Sequence, residues 1–435
     1  MMQKNSLSRT AASAAIHTLS DGNWRAKLAL ILIFAAALPV QVFAVPGFEV
    51  TPSLILAPVA LILFRLKEPI HLAVVAFMAF CLALAMIGPV GGEGRIRNIL
   101  GSASYSSGAP YIIVGMELAR RGYSISKVFF PVLIVSFITV AIFSVDLLIT
   151  GGNIVDSSNY ESIAYQAVET TFVQSIFPFY GKYAVITLST VVAVIAGFSL
   201  ATFSPEGRKS TQIFTLVISG ALLFFAFSML SRQVMVGVVV FFGTLLVLSF
   251  RRKEAWITLA VFLGLLVPWA AFVGGSSGQN VTGEIGISKI VRGVENAENG
   301  NFDDLSTGRL PLYRDAVARL SPSILLGGCG FCNLVDVMDF PFSSLHNVLL
   351  TAVYKGGVLY AATYIGAAFL GLILIRSCKA SFSRDVLTSV LVSIAVQSLI
   401  NDVLYFQVVP ALMFVLAGYV VSRNTFFQTN MSWTR

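Results

Sequence analysis

The chain has 435 residues, of which 56% are hydrophobic and only 11% charged, with a net charge of +8. Its mean hydropathy is +0.83. So few charges exclude an ordinary soluble globule, and recurring apolar runs of roughly 18 residues or more make the bilayer the main solvent. Continuous runs, rather than strict alternation, favour helices over a barrel. The positive balance then belongs to basic loops on one membrane side, not to nucleic acid.

Residues 1–26 form a polar N-terminal tail. The first apolar stretch resembles a signal peptide, but the long leader from Met1 to Asn23 favours an uncleaved span. The candidate spans are 27–45, 50–64, 69–88, 104–119, 128–149, 183–203, 212–230, 233–250, 255–274, 346–375, 386–401 and 404–421. The predicted fold is therefore all-α and polytopic, with about twelve transmembrane helices. Membrane helices fill 27–274 and 346–421, separated by a large loop at 275–345, and 422–435 is a C-terminal tail.

Alternating the spans from a cytoplasmic N-terminus puts a basic cluster in every cytoplasmic loop, with about two thirds of the 29 Lys and Arg on that side. Both termini are then cytoplasmic. The loops at 151–181 and 275–345 face outward. His17, His71 and Cys378 fall on the cytoplasmic side, and Cys81 within a span.

Arginine should be scarce outside, yet the outer loops hold Arg95, Arg97, Arg232, Arg292, Arg309, Arg314 and Arg319. Arg232 lies in a very short turn between two apolar spans. It either snorkels to lipid phosphate or acts as a fixed phosphate ligand, since guanidinium matches phosphate oxygens bidentately. Asp146 and Asp402, at outer span ends, are candidate partners for these arginines.

In the long loop, STGRLPLYRDAVARL predicts a short helix capped by Ser306 or Thr307, with Pro311 in its first turn. Arg309 and Tyr313 share one face, four residues apart. Arg309 sits where the helix N-terminus also favours an anion. Arg314 follows, and Leu312, Ala316 and Leu320 make an apolar docking stripe. The plainer reading is an amphipathic loop helix with solvated charges.

His346 opens the tenth span. Nearby cations disfavour its protonated form, which suits a general base, and Asn347 is placed to orient it or a sugar. The alternative is a histidine at a helix start in the interface. Lys355 lies roughly 13 Å further along a helix. It either extends the anion site or snorkels, and Gly356 and Gly357 beside it permit a break or a close helix contact.

Cys329 and Cys332 form a C-x-x-C that reads as a local disulfide pinning the loop. A redox centre is the sharper alternative, without the thioredoxin-like context. No metal-ligand spacing, phosphate-binding loop or serine elbow appears, so neither cofactor nor metal is expected.

Together these motifs resemble the O-antigen ligase and O-antigen polymerase superfamily of bacterial membrane glycosyltransferases. The resemblance rests on Ser231-Arg232, on Gly308-Arg309 with Tyr313 where tryptophan is common, and on Pro322. It continues through Gly327-Gly328-Cys329-Gly330, His346-Asn347 and Gly356-Gly357. It covers about 212–375, and the rest only by topology. It implies a GT-C-like helical membrane fold and metal-independent glycosyl transfer at the periplasmic face of the inner membrane. The donor would be a glycan on undecaprenyl pyrophosphate. Arg232 and Arg309 would hold the pyrophosphate, and His346 would take the acceptor proton. Arg314, Tyr313, Asn347 and Lys355 are further candidate substrate contacts. Expected partners are the lipid-linked donor, the glycan acceptor, membrane lipids, a chain-length regulator and a flippase. The 151–181 loop contains no arginine, so a scheme with two arginine loops is not implied.

The leading expectation is a polymerase of O-antigen or exopolysaccharide repeat units. The second is a ligase moving the glycan to lipid A–core. A protein O-glycosyltransferase is a lesser variant. A transporter or flippase is the reading from a different class, and it would need charged groups lining a path between both faces.

Overall fold

Proline punctuates the helices of this chain. In the computed structural model, Pro52, Pro69 and Pro322 each open a helix, where a missing N–H costs nothing. The structure describes residues 24–38, 43–45, 48–65, 68–88, 93–149, 209–228, 232–275, 309–335, 340, 345–378, 380–400 and 408–431. The expected span 183–203 and the loop 151–181 lie outside the described residues.

The elements in order are α1 (24–36), β1 (Phe43–Val45), β2 (Phe48–Val50), α2 (Pro52–Ala60) and α3 (Pro69–Ile87). Next come α4 (Glu93–Ser106), α5 (Tyr111–Arg120), α6 (Ile125–Ile149), α7 (Lys209–Ser228), α8 (Arg232–Ser249) and α9 (Lys253–Gly275). The chain then forms α10 (Arg309–Ala318), α11 (Pro322–Gly327), α12 (Val348–Ser377), α13 (Phe382–Ile400) and α14 (Val408–Met431).

Two expectations need correction. The first span does not run helically to 45: α1 stops at 36, ahead of Pro39, and the chain instead forms the antiparallel β1–β2 ribbon, Phe43 opposite Val50. The stretch 104–119 is not one helix either. Gly108 and Pro110 break it, and the Ser106 and Ser107 hydroxyls turn back onto the Ser102 and Ser104 carbonyls.

Among the described residues, three helices are long and apolar enough to cross a membrane: Pro69–Ile87, Val348–Ser377 and Phe382–Leu399. Their outward surface is apolar, unlike that of a soluble helix, and their buried side carries polar groups among the apolar ones. In α3, Leu72, Val75, Leu82, Met86 and Ile87 are exposed while His71 is buried. In α13 the buried side carries Asp385, Thr388, Ser389, Ser393 and Gln397. An apolar exterior around a polar seam is what a hydrocarbon solvent selects.

Small residues let these helices close. A Cβ on Gly115 would come within 1.9 Å of the Val415 carbonyl oxygen, and one on Gly418 within 1.9 Å of that of Ile112. The α5 and α14 backbones therefore touch. The Tyr419 hydroxyl donates to the Tyr123 carbonyl at 2.7 Å. α8 and α13 run antiparallel: Ser249 Oγ donates to Asp385 Oδ2 at 2.7 Å, and Ser393 Oγ to the Gly237 carbonyl at 2.7 Å.

Charges gather at one end. Buried Glu117 accepts from Arg65 at 2.9 Å and Arg121 at 3.2 Å, and Arg120 pairs with Glu68. Asp385 meets Arg252, Arg376 and Arg384. α3 leads away from the first cluster, and its C-terminal Gly88 packs on Gly330. α12 leads from that same turn to Arg376. Both clusters thus lie away from the disulfide turn.

The close α5–α14 contact generates a prediction. Gly418→Val should destabilise the protein by about 1–3 kcal/mol or more through overpacking. Gly264→Val, where nothing lies within 4 Å, should stay within about 0.5 kcal/mol. Thermal unfolding in detergent compares them, and equal melting temperatures would refute the backbone contact.

Candidate functional site

The site begins with a helix that breaks. α12 carries glycine pairs on neither end but has Gly356-Gly357 nine residues in, and Gly357 adopts φ 78° and ψ 179°. That conformation is essentially reserved for glycine. In an unbroken helix the Tyr354 and Lys355 carbonyls would accept from Val358 and Leu359. Here the Cys329 N–H reaches the Tyr354 carbonyl at 2.7 Å, and the Phe331 N–H reaches that of Lys355 at 2.8 Å. The turn that supplies them is held by the Cys329–Cys332 disulfide. Gly328 lies against Lys355 and Gly356, and Gly357 against Leu326 and Gly327, too close for any side chain.

Lys355 serves this junction. It is 4% exposed. Its ammonium donates to the Cys332 carbonyl and lies 5.8 Å from the centre of the Tyr105 ring. A cation at the C-terminal end of the half-helix also suits the helix dipole. The lysine thereby ties the disulfide turn to the break.

At the other end of the half-helix, His346 takes a left-handed backbone, φ 52°, which is uncommon outside glycine. Asn347 is the N-cap. Its Oδ1 accepts from Leu349 at 3.0 Å and Leu350 at 3.1 Å, and its Nδ2 donates to the Leu399 carbonyl at 3.0 Å. The side chain read as orienting a base or a sugar is occupied as a cap and as a bolt to α13. Thr351 Oγ1 accepts from Leu345 N at 3.2 Å, closing the turn from beneath.

α10 docks on this half-helix. Leu312 and Ala316 are buried, with Leu320 partly so, against Cys329, Cys332, Leu345 and Tyr354. The Tyr354 hydroxyl donates to the Ala316 carbonyl at 2.6 Å. The Tyr313 hydroxyl donates to the His346 carbonyl at 3.0 Å. Arg309 opens the helix one turn earlier, with Pro311 in the first turn. The proposed caps Ser306 and Thr307 lie outside the described residues. Burial pushes the Tyr313 phenol above its ordinary range, and the Arg309 charge pulls it partly back. Arg309, Tyr313 and the His346 backbone therefore share one edge, while Arg314 is exposed nearby.

Arg232 is the first residue of α8, and its side chain lies outside what the structure describes. The backbone fixes its level. Ser249 opposes Asp385 and Gly237 opposes Gln397, so the register carries Arg232 to the C-terminal end of α13, where Asn347 holds Leu399. A straight α12 would separate Asn347 from Arg376 by ~43 Å, whereas Asp385 and Leu399 in α13 are only ~21 Å apart. Since Arg376 reaches Asp385 and Asn347 reaches Leu399, the half-helix 348–356 must turn away from the line of the rest of α12 at Gly357. That turn brings His346 over the α8–α13 end.

Asp146 and Asp402, the expected arginine partners, fall where no side chain is described. Among the described residues, no group of three or more His, Cys, Asp or Glu is placed to hold a metal ion. The supports that sequence reading did not single out are Thr351, Tyr354, Tyr105 and the Leu399 carbonyl. No family model matches the chain, and no curated protein matches it.

Two outcomes test this assembly. Gly357→Ala would place a Cβ 2.5 Å from the Leu326 carbonyl oxygen and should cost about 1–3 kcal/mol. Limited proteolysis should then open 319–330, and unchanged protection would contradict the break. Tyr313→Phe should cost about 0.5–1.5 kcal/mol. Because the folded phenol titrates above the free value near 10, the wild-type bond is intact below that pH and fades as pH rises through the folded value. The Phe variant should lack that alkaline component in a stability-versus-pH series.

Proposed function

We propose that the protein is a metal-independent glycosyltransferase of bacterial membranes that polymerises oligosaccharide repeat units carried on undecaprenyl pyrophosphate, at the outer face of the plasma membrane. One observation carries this reading: the Arg309–Tyr313 face of α10 sits on the His346 backbone at the end of the bundle where α8 begins with Arg232. Three residues far apart in sequence, of the types that bind a diphosphate and accept a proton, belong to one end.

In the reaction, the acceptor hydroxyl attacks the anomeric carbon of the donor sugar. His346 takes the hydroxyl proton as the new C–O bond forms. The bond from the anomeric carbon to the pyrophosphate oxygen breaks, and undecaprenyl pyrophosphate leaves. Arg232 and Arg309 neutralise the charge that gathers on that leaving group, and guanidinium geometry suits paired phosphate oxygens. Lys355 and Asn347 act on position, one through the break and the other through the cap. The about twelve spans, cytoplasmic termini and outer-facing site expected from the sequence belong to the same proposal.

The test uses purified protein with lipid-linked oligosaccharide in detergent. Arg309→Ala and His346→Ala should each lower turnover by about 10²-fold or more while the melting temperature holds. Arg309→Lys should recover only part of the rate, as it keeps charge but not the bidentate fork. Full activity in His346→Ala would remove the proton-acceptor role. Polymer formed from lipid-linked units alone supports the polymerase, whereas transfer only to added lipid A–core supports the ligase.

A further inference from the structure

The end opposite His346 holds chemistry that the proposed transfer does not use. Asp385 is 1% exposed in the first turn of α13, and arginines from three stretches of chain converge on it. Arg384 donates through Nε and Nη2 to Oδ1 at 3.1 and 3.0 Å. Ser249 Oγ donates to Oδ2 at 2.7 Å. Both carboxylate oxygens are thereby engaged. Arg252 Nε and Arg376 Nη1 stand at 3.7 and 3.9 Å, outside hydrogen-bond distance, with side chains 38% and 48% exposed. One buried negative charge thus orients two accessible guanidiniums on different helix ends, and Arg251 and Lys253 are exposed beside them. Three guanidiniums around one carboxylate leave a positive surplus, which Glu254 in the first turn of α9 offsets only in part.

A second observation points to the ligand. Phe250 in the α8–α9 turn and Trp256 in the first turn of α9 are both exposed, edge to face with centroids 5.6 Å apart. Trp256 Nε1 donates to the Phe250 carbonyl at 2.9 Å. Exposed aromatic rings next to cations match the composition of the headgroup layer. A soluble anion would have no use for them.

We propose that Arg252 and Arg376 clamp the phosphate of an acidic phospholipid headgroup, joining the α8–α9 turn, the end of α12 and the start of α13. Two guanidiniums can share the non-bridging oxygens of one phosphate, while Asp385 sets their spacing. The site rests on the membrane reading of the chain and is independent of the glycosyl-transfer proposal.

The test is native mass spectrometry and thermal unfolding of the full chain in detergent, with phosphatidylglycerol, cardiolipin, phosphatidylcholine or inorganic phosphate added. The wild type should retain the two acidic lipids and melt higher with them, and should respond to neither phosphatidylcholine nor millimolar phosphate. Arg252→Gln/Arg376→Gln should weaken acidic-lipid retention about thirtyfold, given roughly 1 kcal/mol for each basic residue near a lipid surface. Arg251→Gln/Lys253→Gln, which removes two exposed charges from the same turn, should lose clearly less. Arg252→Lys/Arg376→Lys, which keeps the charge should the Gln pair fail to fold, should bind more weakly than wild type. Equal loss in Arg251→Gln/Lys253→Gln, or full retention in the Lys pair, would overturn a built clamp in favour of diffuse attraction. An equal thermal shift with inorganic phosphate alone would overturn the lipid assignment.

Discussion

A helix broken inside a packed interior leaves carbonyl groups that water cannot reach, and the structure is arranged around satisfying two of them. Each unsatisfied group would cost several kcal/mol in hydrocarbon. At Gly357 the N–H donors of Cys329 and Phe331 replace those that the helix loses at Tyr354 and Lys355. The disulfide holds the donor turn in shape, Gly328 and Gly357 allow the backbones to meet, and Lys355 closes the junction through the Cys332 carbonyl. The C-x-x-C is therefore a structural clasp on a helix end. Its sulfurs are buried, which does not suit the exposed thiolate of a redox centre.

From this junction follow the direction of the half-helix 348–356 and hence the place of His346. Because the break turns the half-helix away from the line of the rest of α12, its N-terminus meets α13 at Leu399 instead of projecting beyond the helix ends. α10 then has a platform, buried through Leu312 and Ala316 and bonded through Tyr313 and Tyr354. The strained φ of His346 is held by Asn347 on one side and by Thr351 and Tyr313 on the other. Such over-determined strain is characteristic of positions where geometry matters to function.

What the sequence disclosed was local. Length and apolarity located α3, α6, α8, α9 and α13 within a few residues, because a bilayer of fixed thickness permits few alternatives. The i, i+4 spacing of Arg309 and Tyr313 and the Leu312–Ala316–Leu320 stripe translate directly into the docked face of α10. What it withheld was partnership. Nothing local says that the glycine pair at 327–328 meets the pair at 356–357, or that Lys355 will find a carbonyl 23 residues upstream. The sequence leaves Lys355 open between extending the anion site and snorkelling, and the structure adds a third use for the charge, at the C-terminal end of a half-helix. Asn347 was the opposite case: its N-cap preference was a readable local signal, outweighed by its position beside a histidine. The Gly108–Pro110 break also has a local cue in the sequence, in a stretch whose hydropathy is weak for a span.

The central claim is that Arg232, Arg309 and His346 belong to one end of the bundle because the Gly357 break folds the half-helix over α8 and α13. The most direct measurement is the spin-label distance between Arg232→Cys and His346→Cys, in a chain whose free Cys81 and Cys378 are replaced by serine and whose disulfide is intact. A single population under ~20 Å is expected, as two labels at one helix-bundle end require. A distance near the ~30 Å thickness of a bilayer core would put the two residues on opposite faces and contradict it.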